Sequence, residues 1–390
     1  MRFGLELPPQ VRVFGGFFVY SFCMGSLPPR LPEVQRAMRI EEGALGFALI
    51  GVAVGTLISL SLASPILERI GYRRSIIALI PLLALTYALA LWAPGPLPLF
   101  LALIPVGLII GGIEIILNLE ADRVSHQIGR GVMNRAHAFW SFGFFSAGLV
   151  GAIIAQTGLS PQLHLVMMVP IVTLGVVLIL GRFEPAAHRD GTSTEGASRF
   201  TAPTFGIMVL VALTLSALIL EGANIDWSGI YMRDEFDAIP FVSGLAVATG
   251  AFAQALTRFF ADRFVDRYSP ATVSRTLLLI MALGALLVFF APVGWMALGG
   301  FALIGVGSSA IFPLAMSAAA QRTDRPASVN VASLAQISFV AFLFGPPLLG
   351  FVAEHWGIRW SYGIAVPLVG LSLIAAGALP HRPPASEAAA

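Results

Sequence analysis

Apolar residues run along this chain in stretches of about 18 to 22 positions, each closed by a short cluster of charged, glycine or proline residues. One or two such stretches suit buried core helices, but a dozen in succession match the ~20 residues a helix needs to cross the hydrocarbon of a bilayer. The pattern predicts twelve spans, at 11–29, 44–66, 75–93, 98–119, 136–156, 162–181, 203–225, 239–260, 272–291, 295–318, 327–351 and 360–380. Without water in the hydrocarbon, each span satisfies its backbone internally as a helix. Long runs such as Met167–Leu180 do not alternate as barrel strands would. The expected class is an all-α membrane protein.

Composition agrees. Charged residues make up 11% of the 390, against roughly 25% in soluble domains, and mean hydropathy is +0.85. A soluble enzyme is excluded. All 23 basic residues are arginines, and with both chain ends on the cytoplasmic side 18 of them fall in inner segments and five in outer loops. That is the positive-inside bias of a chain with cytoplasmic N- and C-termini. The net charge of +2 resides in these loops and implies no nucleic-acid partner. Cys23 is the single cysteine, so no disulfide within the chain is possible. The first apolar segment lacks a small-x-small site, so no cleaved signal peptide is expected. There is no GxxxxGKS/T phosphate loop, no filter-like carbonyl motif and no histidine spacing of the HExxH kind. ATP hydrolysis, a selective channel, a metal and a cofactor are therefore not expected.

The stretch Gly181 to Ala202 is polar and rich in Gly, Ser, Thr and Pro. It divides the chain into an N-terminal bundle of six spans at 1–181, a cytoplasmic linker at 182–202 and a C-terminal bundle of six at 203–390. Glu68-Arg69 and Asp262-Arg263 lie 194 residues apart, an offset shared by Arg73 and Arg267, and each cluster follows the second span of its half. Two similar halves can rock about a central site in alternating access.

The loop after span 2 reads SPILERIGYRR, residues 64–74. It resembles the GxLxDRxGRR signature of the major facilitator superfamily, with Glu68, Arg69, Gly71, Arg73 and Arg74 at the matching positions and Ser64 in place of the first glycine. TRFFADR, residues 257–263, puts Asp262 and Arg263 at the corresponding places of the second half. The resemblance implies the twelve-helix major facilitator fold and a cytoplasmic gate that latches in the outward-facing state. An acid at a helix start and a glycine in a tight turn suit that role physically. A narrower likeness, to YbjJ-type bacterial inner-membrane permeases that are loosely fucose-permease-like, rests on GSLPPRLP, NRAHAFWSFG and EGANIDWSGIYMR. It implies a multi-pass protein of the cell inner membrane.

Polar groups inside spans are costly and require a partner or a role. Glu114 lies in the inner half of span 4 with Asn118 one turn on. It reads either as a proton-titrating carboxylate or as an acid locked to an arginine or to the span 5 backbone. Glu221 and Asn224 share a face of span 7; they suit polyol binding or proton carriage, or a turn at the periplasmic gate. His137, with Trp140 and Ser141, opens span 5 and reads as a proton relay or as a partner of Glu114 or Asn118. Tyr20, Gln254 and Gln336 are further substrate-binding candidates, Tyr20 for ring stacking. Arg30 at the outer rim, paired with Glu33 or attracting an anion, joins Asp226 and the interface anchor Trp227 as the periplasmic gate. Gly345-Pro346-Pro347 is expected to interrupt span 11.

These features predict a secondary transporter of a small polar organic solute, sugar-like, proton-coupled, embedded in the bilayer and working as a monomer. A drug or metabolite proton antiporter with a broad apolar cavity is the second reading. A non-transporting membrane sensor or scaffold is the third.

Overall fold

The computed structural model describes residues 4–129, 131–186 and 202–381. Among these, every regular element is helical, and twelve helical segments are long and apolar enough to cross a membrane. In order they are α1 (Pro9–Met24) continuing into α2 (Leu31–Met38), α3 (Glu42–Leu62), a short α4 (Ser64–Ile70), α5 (Tyr72–Ala90), α6 (Pro96–Ile128), α7 (Met133–Gln156) and α8 (Pro161–Leu180). The second half follows the same plan: α9 (Phe205–Asp226) continuing into α10 (Ser228–Phe236), α11 (Pro240–Tyr268), α12 (Pro270–Phe290), α13 (Gly294–Ser308) with α14 (Ile311–Ala320), α15 (Ala327–Trp356), α16 (Trp360–Gly363) and α17 (Ala365–Ala375). The protein is a twelve-helix membrane protein with two six-span halves. Most of the predicted 182–202 linker lies outside the described residues.

Local chemistry sets the helix starts. Proline occupies the first turn of α1, α6, α8, α11 and α12, where its missing N–H costs nothing. Ser160 and Thr204 accept the backbone N–H of Leu163 and Ile207 as side-chain caps. Within the first half, α3 and α6 approach so closely that a Cβ at Gly55 or Gly107 would overlap the facing helix backbone. The second half repeats the device between α12 and α13, where a Cβ at Gly284 would stand 2.8 Å from the Gly300 carbonyl oxygen.

Several expectations need correction here. Span 1 does not end at residue 29 as predicted: Pro28–Arg30 form a 3-10 turn and the segment continues to Met38. Arg30 is therefore fully buried and not at a rim; it pairs with Glu33 and donates to the Leu159 carbonyl. Span 7 likewise continues as α10, so Trp227 is fully buried against Gly350 and anchors no lipid interface. Span 11 is one helix through Pro346 and Pro347; the break falls in span 10, at Ser309 and Ala310.

The equivalence between the two loops also shifts. Gly71 (φ 89°, ψ 132°) caps the start of α5, and Ser269 (φ 92°, ψ 149°) caps the start of α12 in the same conformation. The counterpart of Glu68-Arg69 is thus Asp266-Arg267, 198 residues on, and not Asp262-Arg263. Arg263 lies exposed on the last turns of α11; Asp262 is in the same helix, and its side chain is outside the described ones.

The halves meet along two seams. α7 runs antiparallel to α11, with the Gln156 side chain accepting from the Phe241 N–H at 3.1 Å. A Cβ on Gly244 would lie 2.7 Å from that of Ala152, and one on Gly148 would stand 3.3 Å from Ala248. α3 meets α15 through the Gly43 N–H on the Glu354 carboxylate at 3.1 Å and through Gly46 against Pro346. All these contacts lie toward the face opposite the chain ends. There Arg233 of α10 also clasps the Pro32 carbonyl and Gln35 of the first half, each at 2.7 Å. On the face that carries the chain ends, Glu68, Arg69, Arg74 and Arg263 are exposed and make no bond to the other half among the described residues. These contacts thus join the halves toward one face, and the four side chains on the other make none among the described residues.

Candidate functional site

Between the halves, part-way along the α7–α11 seam, lies a cleft lined by Trp140 and Phe144 of α7, Glu221 and Asn224 of α9, Gln254 of α11 and Ser308 of α13. It is small because small residues let the helices close on it. A Cβ on Gly250 would collide with the Asn224 amide, and one on Gly305 with the Gly250 carbonyl.

Its charged element is an ion pair between Glu221 and Arg258, 3.5 Å apart and 15% and 17% exposed. Arg258 also donates to the Ser309 carbonyl at 2.8 Å and, across the seam, to the Ser141 hydroxyl at 3.3 Å. Arg258 is one of the 18 arginines assigned to the inner side, although predicted span 8 (239–260) already contains it. The structure keeps it inside the apolar segment 240–261 of a helix that runs on to Tyr268, which corrects its place in that count. The available signal was an arginine two positions before the predicted end of span 8. Opposite it, Trp140 stacks on Phe144 at 5.5 Å. Gln254 is buried and donates to Ser308 at 3.3 Å.

A second polar cluster lies wholly within the first half. Glu114 accepts from the Tyr20 hydroxyl at 2.9 Å and from the Asn118 amide at 2.8 Å, and the Asn118 oxygen lies 3.2 Å from Nε2 of His137. Tyr20 is fully buried and does not line the cleft, so its ring is not presented for stacking. Neither an arginine nor a span 5 backbone group locks Glu114 among the described residues; a phenol and an amide hold it. Phe17 packs on His137 with ring centroids 5.2 Å apart.

The remaining candidates are dispersed. Gln336 is half-buried on α15, outside the cleft lining. Asp226, half-buried, closes α9 beside Trp227. At the chain-end face, the Arg73 guanidinium donates to the Gly181 carbonyl at 2.7 Å, tying the start of α5 to the end of α8 within one half. The Arg123 guanidinium lies over the Tyr72 ring, 5.0 Å from its centroid. The cross-half clasp at the opposite face is Arg233, which the sequence reading did not select. Among the described residues no cluster of histidine, cysteine and carboxylates is arranged to hold a metal.

Comparison with known proteins gives the same architecture. The family model described as Major Facilitator Superfamily matches residues 209–390. The chain is 30% identical over 364 residues to the transporter y4wD of Sinorhizobium fredii, covering 92% of this chain and 94% of that protein. It is 27% identical to an MFS-type transporter of Yersinia pestis over 92% of this chain and 93% of the relative. Among solved structures, a D-xylose-proton symporter superposes with a TM-score of 0.74 at 15% identity, covering 95% of this chain and 97% of that one. The nucleoside transporter NupG superposes with a TM-score of 0.70 at 13% identity, covering 95% and 98%. At such identities these two structures speak for the fold alone. With a relative matched along nearly its whole length and twelve spans in two halves, the chain belongs to the major facilitator superfamily of multi-pass membrane transporters and is not an enzyme.

Proposed function

We propose that the protein is a secondary active transporter that moves a small polar, sugar-like solute across the cell inner membrane by alternating access, coupled to protons and working as a monomer. The observation that carries this reading is the Glu221–Arg258 pair in the cleft between the halves, with Arg258 also bonded to Ser141 of the opposing half. A carboxylate that exchanges an arginine for a proton alters the contacts between the halves, which links titration to rocking. In this reading 1–181 and 203–390 move as bodies joined by 182–202.

The excess of arginines in the inner segments, which remains when Arg258 is set inside its span, supports chain ends on the cytoplasmic side. With the Gly43, Arg233 and Phe241 contacts between the halves gathered toward the opposite face, the state described reads as inward-facing. The Glu68-Arg69-Gly71-Arg73-Arg74 loop is an unlatched gate, and Arg233 closes the periplasmic side beside buried Arg30. Glu221 is the first candidate for the proton. Glu114 and His137 stand as a second titratable group linked by Asn118.

The test is thermal stabilisation of the purified protein by sugars, nucleosides, amino acids, carboxylates and lipophilic cations at about pH 5.5 and about 7.5, since a ligand of the folded state raises its stability by mass action. Sugar-like ligands whose effect depends on pH and weakens in Glu221→Gln support the proposal. Stabilisation by lipophilic cations alone supports the antiporter reading instead. Transport and pH dependence unchanged in Glu221→Gln would remove Glu221 from the coupling.

A further inference from the structure

Two atoms of the cleft lack what buried polar atoms normally have. The indole Nε1 of Trp140 and the amide Oδ1 of Asn224 are both shut off from solvent, and neither meets a hydrogen-bond partner among the described residues. They line the same cleft from opposite halves, Trp140 on α7 and Asn224 on α9. One can only donate; the other can only accept. A polar group desolvated without a partner costs free energy, and natural folds rarely leave one so unless something else supplies the bond.

The other polar groups here are already engaged: Gln254 bonds Ser308, and Glu221 faces Arg258. That ion pair leaves the cleft without net charge. A carboxylate or ammonium ligand would have to separate it. Beside the two unpartnered atoms the cleft is apolar, with the Trp140 ring backed by the buried Phe144 ring stacked on it.

We infer that Trp140 and Asn224 are the specificity contacts of the solute, and that the solute is an uncharged ring compound bearing at least two hydroxyl groups. One hydroxyl oxygen accepts from the Trp140 N–H, another hydroxyl donates to Asn224, and the ring of the solute lies beside the Trp140 side chain. This rests on the transport reading above and names its solute class. A hydroxyl both donates and accepts, so a polyhydroxylated ring satisfies both halves at once and is bound best when they close around it. A free monosaccharide and the ribose of a nucleoside share this chemistry.

The experiment is counterflow into proteoliposomes of the full chain, with D-glucose against D-glucuronate and D-glucosamine in one arm, and uridine against 2′,3′-dideoxyuridine in the other. A lipophilic cation is run beside them. The expected result is flux of D-glucose or uridine, with the charged sugars and the dideoxy compound reduced about tenfold or more, because a site built to bond hydroxyls rejects analogues lacking them. Which arm responds identifies the source of the ring. Trp140→Phe keeps the ring and removes the donor; it should raise KM for the hydroxylated probe about tenfold while leaving kcat within about twofold. The analogue series uses the unaltered chain, so it holds even if that variant fails to fold. Equal flux of uridine and its dideoxy analogue, or preference for a charged or lipophilic probe, overturns the inference while leaving transport standing. Absence of flux for every probe overturns both.

Discussion

The two halves hold their membrane-embedded carboxylates in opposite ways. In the first half Glu114 is met by neutral groups of its own half, the Tyr20 hydroxyl and the Asn118 amide, in a network that stops at His137. In the second half Glu221 faces the seam and shares Arg258 with a serine of the opposing half. The first arrangement makes no bond to the other half among the described residues; the second does. A carboxylate satisfied within one body serves that body's stability, whereas one whose counter-ion crosses the seam registers the relative position of the bodies. The two turns differ in the same instructive manner: a positive φ is held by glycine at 71 and by serine at 269.

The largest effect should come from Arg258→Ala, which strands Glu221. Removing one partner of a buried pair costs about 3–5 kcal/mol, and the lower end applies here because both side chains keep some exposure. We expect a lower melting temperature and loss of flux. Adding Glu221→Gln should restore stability without restoring flux. If Arg258→Ala transports normally, the contrast between the two carboxylates collapses.

Tyr20→Phe should act next. It removes one bond to Glu114, at about 1–2 kcal/mol, and on the argument above it lowers thermal stability while leaving flux and its pH profile in place. A shift of the pH profile in Tyr20→Phe would move the coupling role to Glu114.

The smallest effects test the turns. Ser269→Gly relieves the left-handed backbone, worth about 1 kcal/mol, but loses the Ser269 hydroxyl that accepts the Thr272 N–H, so it should raise stability by somewhat less than that. Gly71→Ala should lower it by about 1 kcal/mol. Nothing stands within 4 Å of a Cβ at Gly71, so that change reads backbone strain without steric overlap. Paired melting curves of these two variants sharpen the comparison; equal shifts of the same sign would break the equivalence of the turns.

Much of the fold was legible because the bilayer simplifies it. A dozen apolar stretches of spanning length admit few architectures, and the loop at 64–74 with the 6+6 division narrows them to one. The failures cluster where a helix does not stop at the membrane edge. Arg30 was read as a rim residue and Trp227 as an interface anchor, because hydropathy marks where apolar character ends and not where the helix ends. α11 carries its arginine inside the span, and α2 and α10 extend spans 1 and 7 beyond their apolar runs. The 194-residue offset failed differently. Matching letters chose Asp262-Arg263, whereas the conformation of the turn chose Asp266-Arg267 with Ser269 standing where glycine was expected.

The sequence by itself determined the number of spans, their helical form, the two halves and the stock of embedded polar residues, since each follows from chain-local length, hydropathy and charge. Tertiary structure alone decided which of those residues meet. It set Glu114 on Tyr20 and Glu221 on Arg258, left Trp140 and Asn224 with unpartnered hydrogen-bonding atoms, and gathered the bonds between the halves toward one face. Those pairings join residues far apart along the chain, and helix rotation and tilt, which depend on how all twelve spans pack together, determine them.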